Sequence, residues 1–532
     1  MSTMLRDPCA EGCIRSAPEP PPRQKKHART ALAAAVLGSS MAFVDGTVVN
    51  VALPVMQREL GACVAQVQWI VEAYALMLAA LLLVGGSLGD RFGRRRVFGV
   101  GVAVFAAASA WCGLAPDAAH LVLARGVQGL GGALLVPGSL ALISASFGAD
   151  ERGRAIGTWS SLTAVAGGVG PVLGGLLVQH LSWRWIFFLN LPLAAAVLLL
   201  LPRVPESRDP RAGPLDLPGA LLATLALGGI ALGLTEAGPR GPGDPLVLAL
   251  LAAGAAAALA FVRTERRSRA PMVPPELFRS RTFAGANLLT LLLYTALGAT
   301  LFFLPFNLIQ VQGYSPVQAG AALVPFTALM VLLSPRAGAL VDRRGPRLPL
   351  VAGPLLAGAG IAGLALPGVG GSYWTTFFPG IVVMALGMTL SVAPLTTTVM
   401  GAVEMRRAGT ASGINNAVSR TAALLSVAAM GVVMAGAFRP ALRERLDALD
   451  LPPAARRELL AGADRLAAAP VPAGLDPRRA AAVERALDEA FVAGFRRVAL
   501  LAAGLAAAGA ASAFLLVDGR APNRATSTGR AG

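Results

Sequence analysis

The sequence has few of the residues from which soluble enzymes and metal proteins build their active sites. Only 14% of its 532 residues are charged, and its three histidines and four cysteines are not spaced like metal ligands. Lysine occurs only as Lys25 and Lys26, so the phosphate-binding pattern Gly-x-x-x-x-Gly-Lys-Ser/Thr is absent. We therefore expect no ATP hydrolysis by this chain, no catalytic residues, and no metal or other cofactor.

Apolar side chains dominate instead. Hydrophobic residues make up 55% of the chain, and the mean hydropathy of +0.63 exceeds that of ordinary soluble domains. The net charge of +17 does not indicate a nucleic-acid partner, because the basic residues are scattered between apolar runs without interleaved aromatic residues. The composition indicates an all-α protein that crosses a lipid bilayer many times.

Fourteen apolar runs are long enough to cross about 30 Å of hydrocarbon as helices. The predicted spans are residues 31–52, 66–86, 97–115, 119–143, 155–178, 183–202, 216–236, 245–262, 282–308, 317–341, 348–367, 374–396, 408–436 and 495–517. An even number of spans places both ends of the chain on the same side.

Arginine indicates which side that is. Alternate connections are rich in arginine, as in residues 91–96, 263–269 and 343–347, and positive loops remain in the cytoplasm. Both termini are therefore predicted to be cytoplasmic, with residues 1–30 a disordered basic tail and residues 521–532 a second tail. The long segment 437–494, which contains prolines at 440, 452, 470 and 472, is predicted to form short amphipathic helices on the outer surface.

One loop sequence occurs twice. Gly86-Ser-Leu-Gly-Asp90-Arg91-Phe-Gly93-Arg94 is echoed by Gly338-Ala-Leu-Val-Asp342-Arg343, which indicates two homologous halves related by an axis along the membrane normal. Ion pairs in this loop are predicted to hold the halves together on the cytoplasmic side and to break when the cavity opens there. The predicted gating residues are Gly86, Asp90, Arg91, Gly93, Arg94, Asp342 and Arg343.

Three ionisable residues fall inside predicted spans at a similar depth. Asp45, Glu72 and Arg125 are costly in hydrocarbon, and such groups usually belong to substrate or proton pathways. If Arg125 neutralises one acid, the other is left to carry a proton or attract a cationic substrate. Alternatively, Asp45 caps a bend before Gly46, and Glu72 lies in the wet interface beside Trp69.

These features resemble the major facilitator superfamily, and the fourteen spans resemble its drug:proton antiporter branch. The second loop follows the tenth span, where a twelve-helix member would have it after the eighth, so the resemblance implies two inserted helices between six-helix halves. The implied regions are residues 31–202 for the first half, 203–270 for the inserted pair and 271–520 for the second half.

The resemblance also assigns two motifs. Arg125 matches a fourth-helix arginine linked to proton coupling, and the fifth span carries a Gly-x-Gly-Pro-x-x-Gly-Gly order similar to the antiporter motif of exporters. Small residues at this spacing allow close helix contacts, and proline permits bending. The motif residues are Gly168, Gly170, Pro171, Gly174 and Gly175.

The sequence therefore predicts a monomeric, proton-driven exporter in a bacterial cytoplasmic membrane, with hydrophobic drugs or toxic compounds, cationic ones among them, as its substrates. The alternatives are a dedicated exporter of one endogenous metabolite or antibiotic, an uptake symporter and a membrane-embedded enzyme. Candidate residues of a substrate cavity are Tyr74, Tyr294, Phe306, Asn307, Gln310, Asn415 and Asn416.

Overall fold

The computed structural model describes residues 22–209, 215–268, 271–404 and 407–519, and all regular secondary structure in these ranges is helical. Thirteen of the described helices are long and apolar enough to cross a membrane, and Arg347–Gly363 is a shorter apolar helix. Together they correspond to the fourteen predicted spans, which confirms the fold class. Residues 521–532 and most of the predicted tail 1–30 lie outside the described residues, but residues 22–30 belong to the first helix and not to a disordered tail.

The helices follow the chain in three groups. The first six are α1 (Pro22–Glu59), α2 (Val64–Phe92), α3 (Arg94–Leu114), α4 (Ala118–Ser146), α5 (Ala149–His180) and α6 (Trp185–Arg203). Two more are α7 (Leu217–Arg240) and α8 (Pro245–Arg267). The last six are α9 (Arg281–Val311), α10 (Val324–Arg344), α11 (Arg347–Gly363), α12 (Phe378–Gly401), α13 (Ala408–Asp447) and α14 (Pro477–Leu516), with a short helix Pro316–Ala321 before α10.

Glycines allow the helices of each six-helix group to cross closely. A Cβ atom on Gly85 of α2 would lie 2.0 Å from the carbonyl oxygen of Ala133 on α4, and one on Gly387 of α12 would lie 2.1 Å from the backbone nitrogen of Ala357 on α11. Since apolar burial contributes little between helices in lipid, close van der Waals contact of this kind holds such groups together.

The two six-helix groups meet mainly at one end of the bundle. We call this the Gly61 end, after the α1–α2 turn, and the opposite end the Gly93 end, after the α2–α3 turn. At the Gly61 end the Gln68 side-chain amide donates to the Val427 carbonyl at 2.8 Å, and the Gln310 amide donates to Gln57 Oε1 at 3.0 Å. In the described part of the chain, the side-chain hydrogen bonds between these groups lie at this end.

The facing helices α5 and α10 approach closely where a Cβ on Gly168 would lie 1.9 Å from the Thr327 methyl group. Between this point and the Gly93 end, most side chains of α5 are exposed, including Leu162. The bundle is therefore closed between its halves at the Gly61 end, and α5 is less covered towards the Gly93 end.

The inserted pair lies on the flank of the bundle. Helices α7 and α8 pack on each other, and α7 also packs against α2 and α13, which belong to different halves. Gly229 of α7 and Gly254 of α8 allow the pair to approach closely, because a Cβ on Gly229 would lie 3.0 Å from the Gly254 Cα. Side chains of α7 thus reach the seam between α2 and α13.

The segment 437–494 differs from the predicted outer-surface loop. Helix α13 does not break at Pro440 but continues to Asp447, because Phe438 and Leu442 on either side of the proline are fully buried. Helix α14 begins at Pro477. Between the two, Pro453–Ala461 forms the expected kind of short helix and a 3₁₀ turn follows it. We call residues 448–476 the roof segment.

Candidate functional site

Asp45 and Arg125 form a buried ion pair in the first six-helix group. Arg125 Nη1 lies 2.5 Å from Asp45 Oδ2, and the two side chains expose 0% and 1% of their surface. The pair joins the middle of α1 to the first third of α4. An aspartate and an arginine buried this completely are tolerated only when each neutralises the other.

Amide donors complete the surroundings of the Asp45 carboxylate. Gln128, one turn after Arg125 on α4, donates to Asp45 Oδ1 at 2.8 Å, and Asn190 of α6 donates to the same oxygen at 3.3 Å. Both amides also contact the Ser109 hydroxyl of α3, at 3.0 and 2.9 Å. The carboxylate therefore binds donors from two further helices, through both of its oxygens.

The Arg125 guanidinium is held on its other sides as well. Its Nε donates to the Ile70 carbonyl at 2.9 Å, and Nη1 also donates to Gln128 Oε1 at 2.6 Å. The Tyr74 ring lies under the guanidinium carbon at 4.4 Å, which is within the range of a cation–π contact. Tyr74, a candidate cavity residue, is thus part of the support for Arg125.

Glu72 does not join this pair. Successive residues of an α-helix are about 100° apart, so Glu72 points almost opposite to Ile70, the residue whose carbonyl receives Arg125. Glu72 is fully buried, and its Oε2 accepts a hydrogen bond from the Thr235 hydroxyl of α7 at 3.1 Å. Its Oε1 has no hydrogen-bond partner in the described part of the chain.

Asp45 and Glu72 therefore differ in the hydrogen bonds that a proton on the carboxylate would break. Protonating Asp45 displaces a donor, because Arg125, Gln128 and Asn190 occupy its oxygens. Protonating Glu72 at Oε1 displaces no protein donor. Glu72 can thus gain or lose a proton with little rearrangement, whereas a proton on Asp45 weakens the link between α1 and α4.

The glycine-rich segment of α5 contacts two elements. A Cβ on Gly170 would lie 2.0 Å from Thr47 Oγ1, and one on Gly174 would lie 2.6 Å from Val48, both on α1. Pro171 has no N–H to give to the Gly167 carbonyl four residues earlier. The Thr47 hydroxyl lies 2.9 Å from that carbonyl and can donate to it, so α1 compensates for the missing helical hydrogen bond.

The other two glycines of this motif face the second half. A Cβ on Gly168 would lie 1.9 Å from the Thr327 methyl group, and one on Gly175 would lie 2.4 Å from the Pro316 carbonyl oxygen. The reciprocal approach is at Gly320, where a Cβ would lie 2.2 Å from the Pro171 carbonyl oxygen. This close contact closes the Gly61 end between α5 and the start of α10.

The first gating loop makes its ion pairs within its own half. Arg94 contacts Asp90 at 2.8 Å, and Arg95 approaches Glu206, in the segment after α6, at 3.7 Å. Gly93 has a φ of +110°, and a Cβ on it would lie 2.8 Å from the Glu206 carboxylate. Among the described side chains, the ion pairs of this loop therefore lie within the first half, and the predicted pairing with the second copy of the loop stays a prediction.

The remaining gating candidates are placed as follows. Gly86 makes an ordinary contact with Pro137, and the Arg91 guanidinium lies 5.6 Å from the centre of the Phe92 ring. In the second copy, Gly345 repeats the positive φ of Gly93, in line with a duplicated turn. The side chains of Asp342 and Arg343 lie outside the described residues.

Most of the cavity candidates make packing or interhelical contacts here. Phe306 and Asn307 are 3% exposed. Gln310 bonds to Gln57 at the closed end. Asn415 of α13 donates to the Thr290 hydroxyl of α9 at 2.7 Å and to Asn287 Oδ1 at 3.2 Å. Only Tyr294 and Asn416 are half-exposed without a side-chain hydrogen bond in the described part of the chain.

Four residues of the site are not predicted by the sequence analysis. Gln128 and Ser109 are polar residues inside predicted spans, and Gln128 lies one helical turn from Arg125, so the turn spacing could have indicated it. Asn190 follows Trp183 and Trp185, and tryptophans of this kind are typical of a membrane boundary and not of a buried site. Thr235 gave no usable signal, because its partner lies 163 residues away on another helix.

Comparison with known proteins agrees with this architecture. Residues 35–427 match the family model described as Major Facilitator Superfamily. The chain is similar to a solved bacterial homolog of the human lysosomal transporter Spinster, with a TM-score of 0.64 at 19% identity, covering 93% of this chain and 98% of that one. At this level of identity the likeness shows the fold alone.

Relatives of higher identity carry names from antibiotic resistance. The tetracenomycin C resistance and export protein of Streptomyces glaucescens is 35% identical over 504 residues, covering 92% of this chain and 93% of that protein. The multidrug resistance protein Stp of Mycobacterium tuberculosis is 37% identical over 432 residues, covering 81% and 80%. The puromycin resistance protein of Streptomyces alboniger is 39% identical over 407 residues, covering 75% and 80%.

Proposed function

Because the chain belongs to the major facilitator superfamily, we propose that it is a proton-driven exporter of hydrophobic antibiotics and related toxic compounds. The observation that carries the proposal is the buried Asp45–Arg125 pair, set among helices that close the Gly61 end. Two relatives named for multidrug and puromycin resistance support a substrate range that includes unrelated drugs.

The proposed cycle alternates access between the two ends. The Gly93 end faces the cytoplasm, as its arginines suggest, so the described conformation is open towards the cytoplasm and receives substrate there. The halves then rock about the substrate. The contacts of Gly168 with α10 and of Gly175 with the short helix Pro316–Ala321 separate, the Gly61 end opens and substrate leaves.

Protons return through the acids of the first half. In the proposed cycle, Glu72 accepts a proton at its free oxygen when the Gly61 end is accessible from outside. The charge of Asp45, neutralised by Arg125 in the described conformation, becomes available to a cationic substrate only when that pair loosens. Proton and substrate then use different carboxylates linked through α2, whose Ile70 carbonyl contacts Arg125.

A dedicated exporter of one antibiotic is the second candidate. It is favoured by the relative that is 35% identical over nearly the whole chain and is named for resistance to and export of a single compound, tetracenomycin C. The two candidates differ in substrate breadth and share the mechanism.

The test is efflux from energised bacterial cells that express the protein. Separate cultures are loaded with ethidium, puromycin or tetracenomycin C, and efflux is followed with and without a protonophore. We expect efflux that stops when the protonophore is added and that is lost in Asp45→Asn. Efflux of tetracenomycin C alone would select the dedicated exporter, and efflux that persists with the protonophore would refute proton coupling.

A further inference from the structure

A small cavity leads from the Gly61 end towards Glu72. Its volume is about 30 Å³, enough for one or two water molecules. Helices α2, α7 and α13 form its walls, and the roof segment covers it. Its lining includes half-buried Cys63 and Asp464 near the surface and buried Gln68 and Thr235 at its floor.

Thr235 separates this cavity from the acid. Thr235 lines the cavity, and its hydroxyl lies 3.1 Å from Glu72 Oε2. A hydroxyl can both donate and accept a hydrogen bond, so it can face a carboxylate on one side and water on the other. Thr235 is 2% exposed, and Glu72 is fully buried beneath it with one oxygen unpartnered among the described residues.

The floor of the cavity is held by a close contact between the halves. Gln68, one turn before Glu72 on α2, donates to the Val427 carbonyl of α13 at 2.8 Å. A Cβ on Gly431 would lie 1.8 Å from the Gln68 amide nitrogen, so only glycine leaves room for it. Separation of α13 from α2 would break this contact and widen the route to Glu72.

No charged side chain of the described residues contacts Glu72. The charged groups on elements packed around it contact other residues or lie towards the mouth of the cavity. Arg125 is bound to Asp45, Glu236 pairs with Arg240 on α7 at 2.8 Å, and the Arg420 guanidinium lies 5.8 Å from the centre of the Phe43 ring. Arg439 and Asp464 line the cavity itself.

We propose that this cavity is the external proton entrance, and that the inserted helix α7 positions Glu72 through Thr235. The inference rests on the proposed function. It assigns a role to the inserted pair and to the roof segment, which alternating access alone does not need. Protons pass from outside along the cavity to the Thr235 hydroxyl and Glu72. Substrate leaves separately, between α5 and α10.

Two transport modes in proteoliposomes separate these routes. Efflux driven by a pH gradient requires proton entry, whereas exchange of labelled for unlabelled ethidium at equal pH requires only substrate movement. If the wild-type protein exchanges ethidium but ignores the pH gradient, the proposed function fails. The variants test the proton entrance only in preparations in which the pH gradient drives efflux by the wild-type protein.

The first test places a plug in the cavity. A chain that retains Cys63 as its only cysteine is treated with a bulky, membrane-impermeant thiosulfonate from the Gly61 side. We expect gradient-driven efflux to fall about tenfold while exchange persists, and the matched Cys63→Ala chain to be unaffected. Loss of both modes would make the cavity a substrate exit, and retention of both would also overturn the inference.

The second test removes the hydroxyl. Thr235→Val is expected to slow gradient-driven efflux about tenfold, comparable to the loss of one hydrogen bond to a charged group, with the KM for ethidium unchanged. Thr235→Ser, which keeps the hydroxyl, is expected to restore the rate. Exchange reports whether each variant is folded. Gradient-driven efflux by Thr235→Val at the wild-type rate would show that Thr235 has no positioning role. If Thr235→Val does not fold, the Cys63 experiment alone tests the proposed proton entrance.

Discussion

Removing the charge of Asp45 should destabilise the protein as well as stop transport. An asparagine at this position can keep its oxygen towards Arg125, but its NH₂ group then faces the amide donors of Gln128 and Asn190, which now contact Asp45 Oδ1. The Arg125 charge also stays buried without a counter-charge. Breaking a buried ion pair from one side costs about 3–5 kcal/mol.

The same reasoning predicts partial recovery in a double variant. In Asp45→Asn with Arg125→Gln no charge remains buried at the site of the pair, and the two new amides can bond to each other and to Gln128. We expect the double variant to lose less unfolding free energy than the two single variants lose together. The difference, which is the coupling energy, should be about 1–3 kcal/mol. It should still fail to export ethidium, because in the proposed cycle the Asp45 carboxylate attracts the cationic substrate.

The assay is the free energy of unfolding of purified protein, measured by titrating SDS into mixed micelles. Asp244→Asn is the matched control, because Asp244 caps α8 at an exposed position by accepting from Leu246 N and asparagine caps helices equally well. It should change stability by less than about 0.5 kcal/mol. Wild-type stability of Asp45→Asn, or strict additivity in the double variant, would refute the buried-pair account.

Two glycines allow further tests. Gly93→Ala should lower the amount of folded protein, because φ at this turn is +110° and the new Cβ would meet the Glu206 carboxylate; fluorescence-detected size-exclusion chromatography checks this, and normal yield would contradict it. Gly175→Ala should favour an open Gly61 end, because its Cβ would lie 2.4 Å from the Pro316 carbonyl oxygen. Faster labelling of Cys63 by an impermeant maleimide would report the opening, and unchanged labelling would show that the contact does not set the conformation.

Those parts of the fold that depend on local composition could be predicted from the sequence. Hydropathy located fourteen spans because each must cross the same hydrocarbon thickness. The repeated loop identified the duplication, and Gly93 and Gly345 do share a positive φ. The ends of α13 and α14 were misplaced because these helices continue beyond the apolar run, with buried residues such as Leu442 on one face and charges on the other.

The site could be predicted only in part. The three charged side chains were recognisable because ionisable residues are rare in spans, but which acid meets Arg125 depends on how α2 is rotated about its axis. That rotation turns the Ile70 carbonyl towards α4 and Glu72 towards α7. The partner of Glu72 belongs to an inserted helix, whose packing position no local pattern specifies.

Counting protons against substrate tests the central claim most directly. Purified protein is reconstituted into liposomes that contain a pH-sensitive dye, and an ethidium gradient is imposed without a pH gradient. The account predicts that ethidium moving in one direction drives protons in the other, and that Asp45→Asn abolishes both movements. Ethidium transport with no proton movement, or proton movement in the same direction as ethidium, would contradict it.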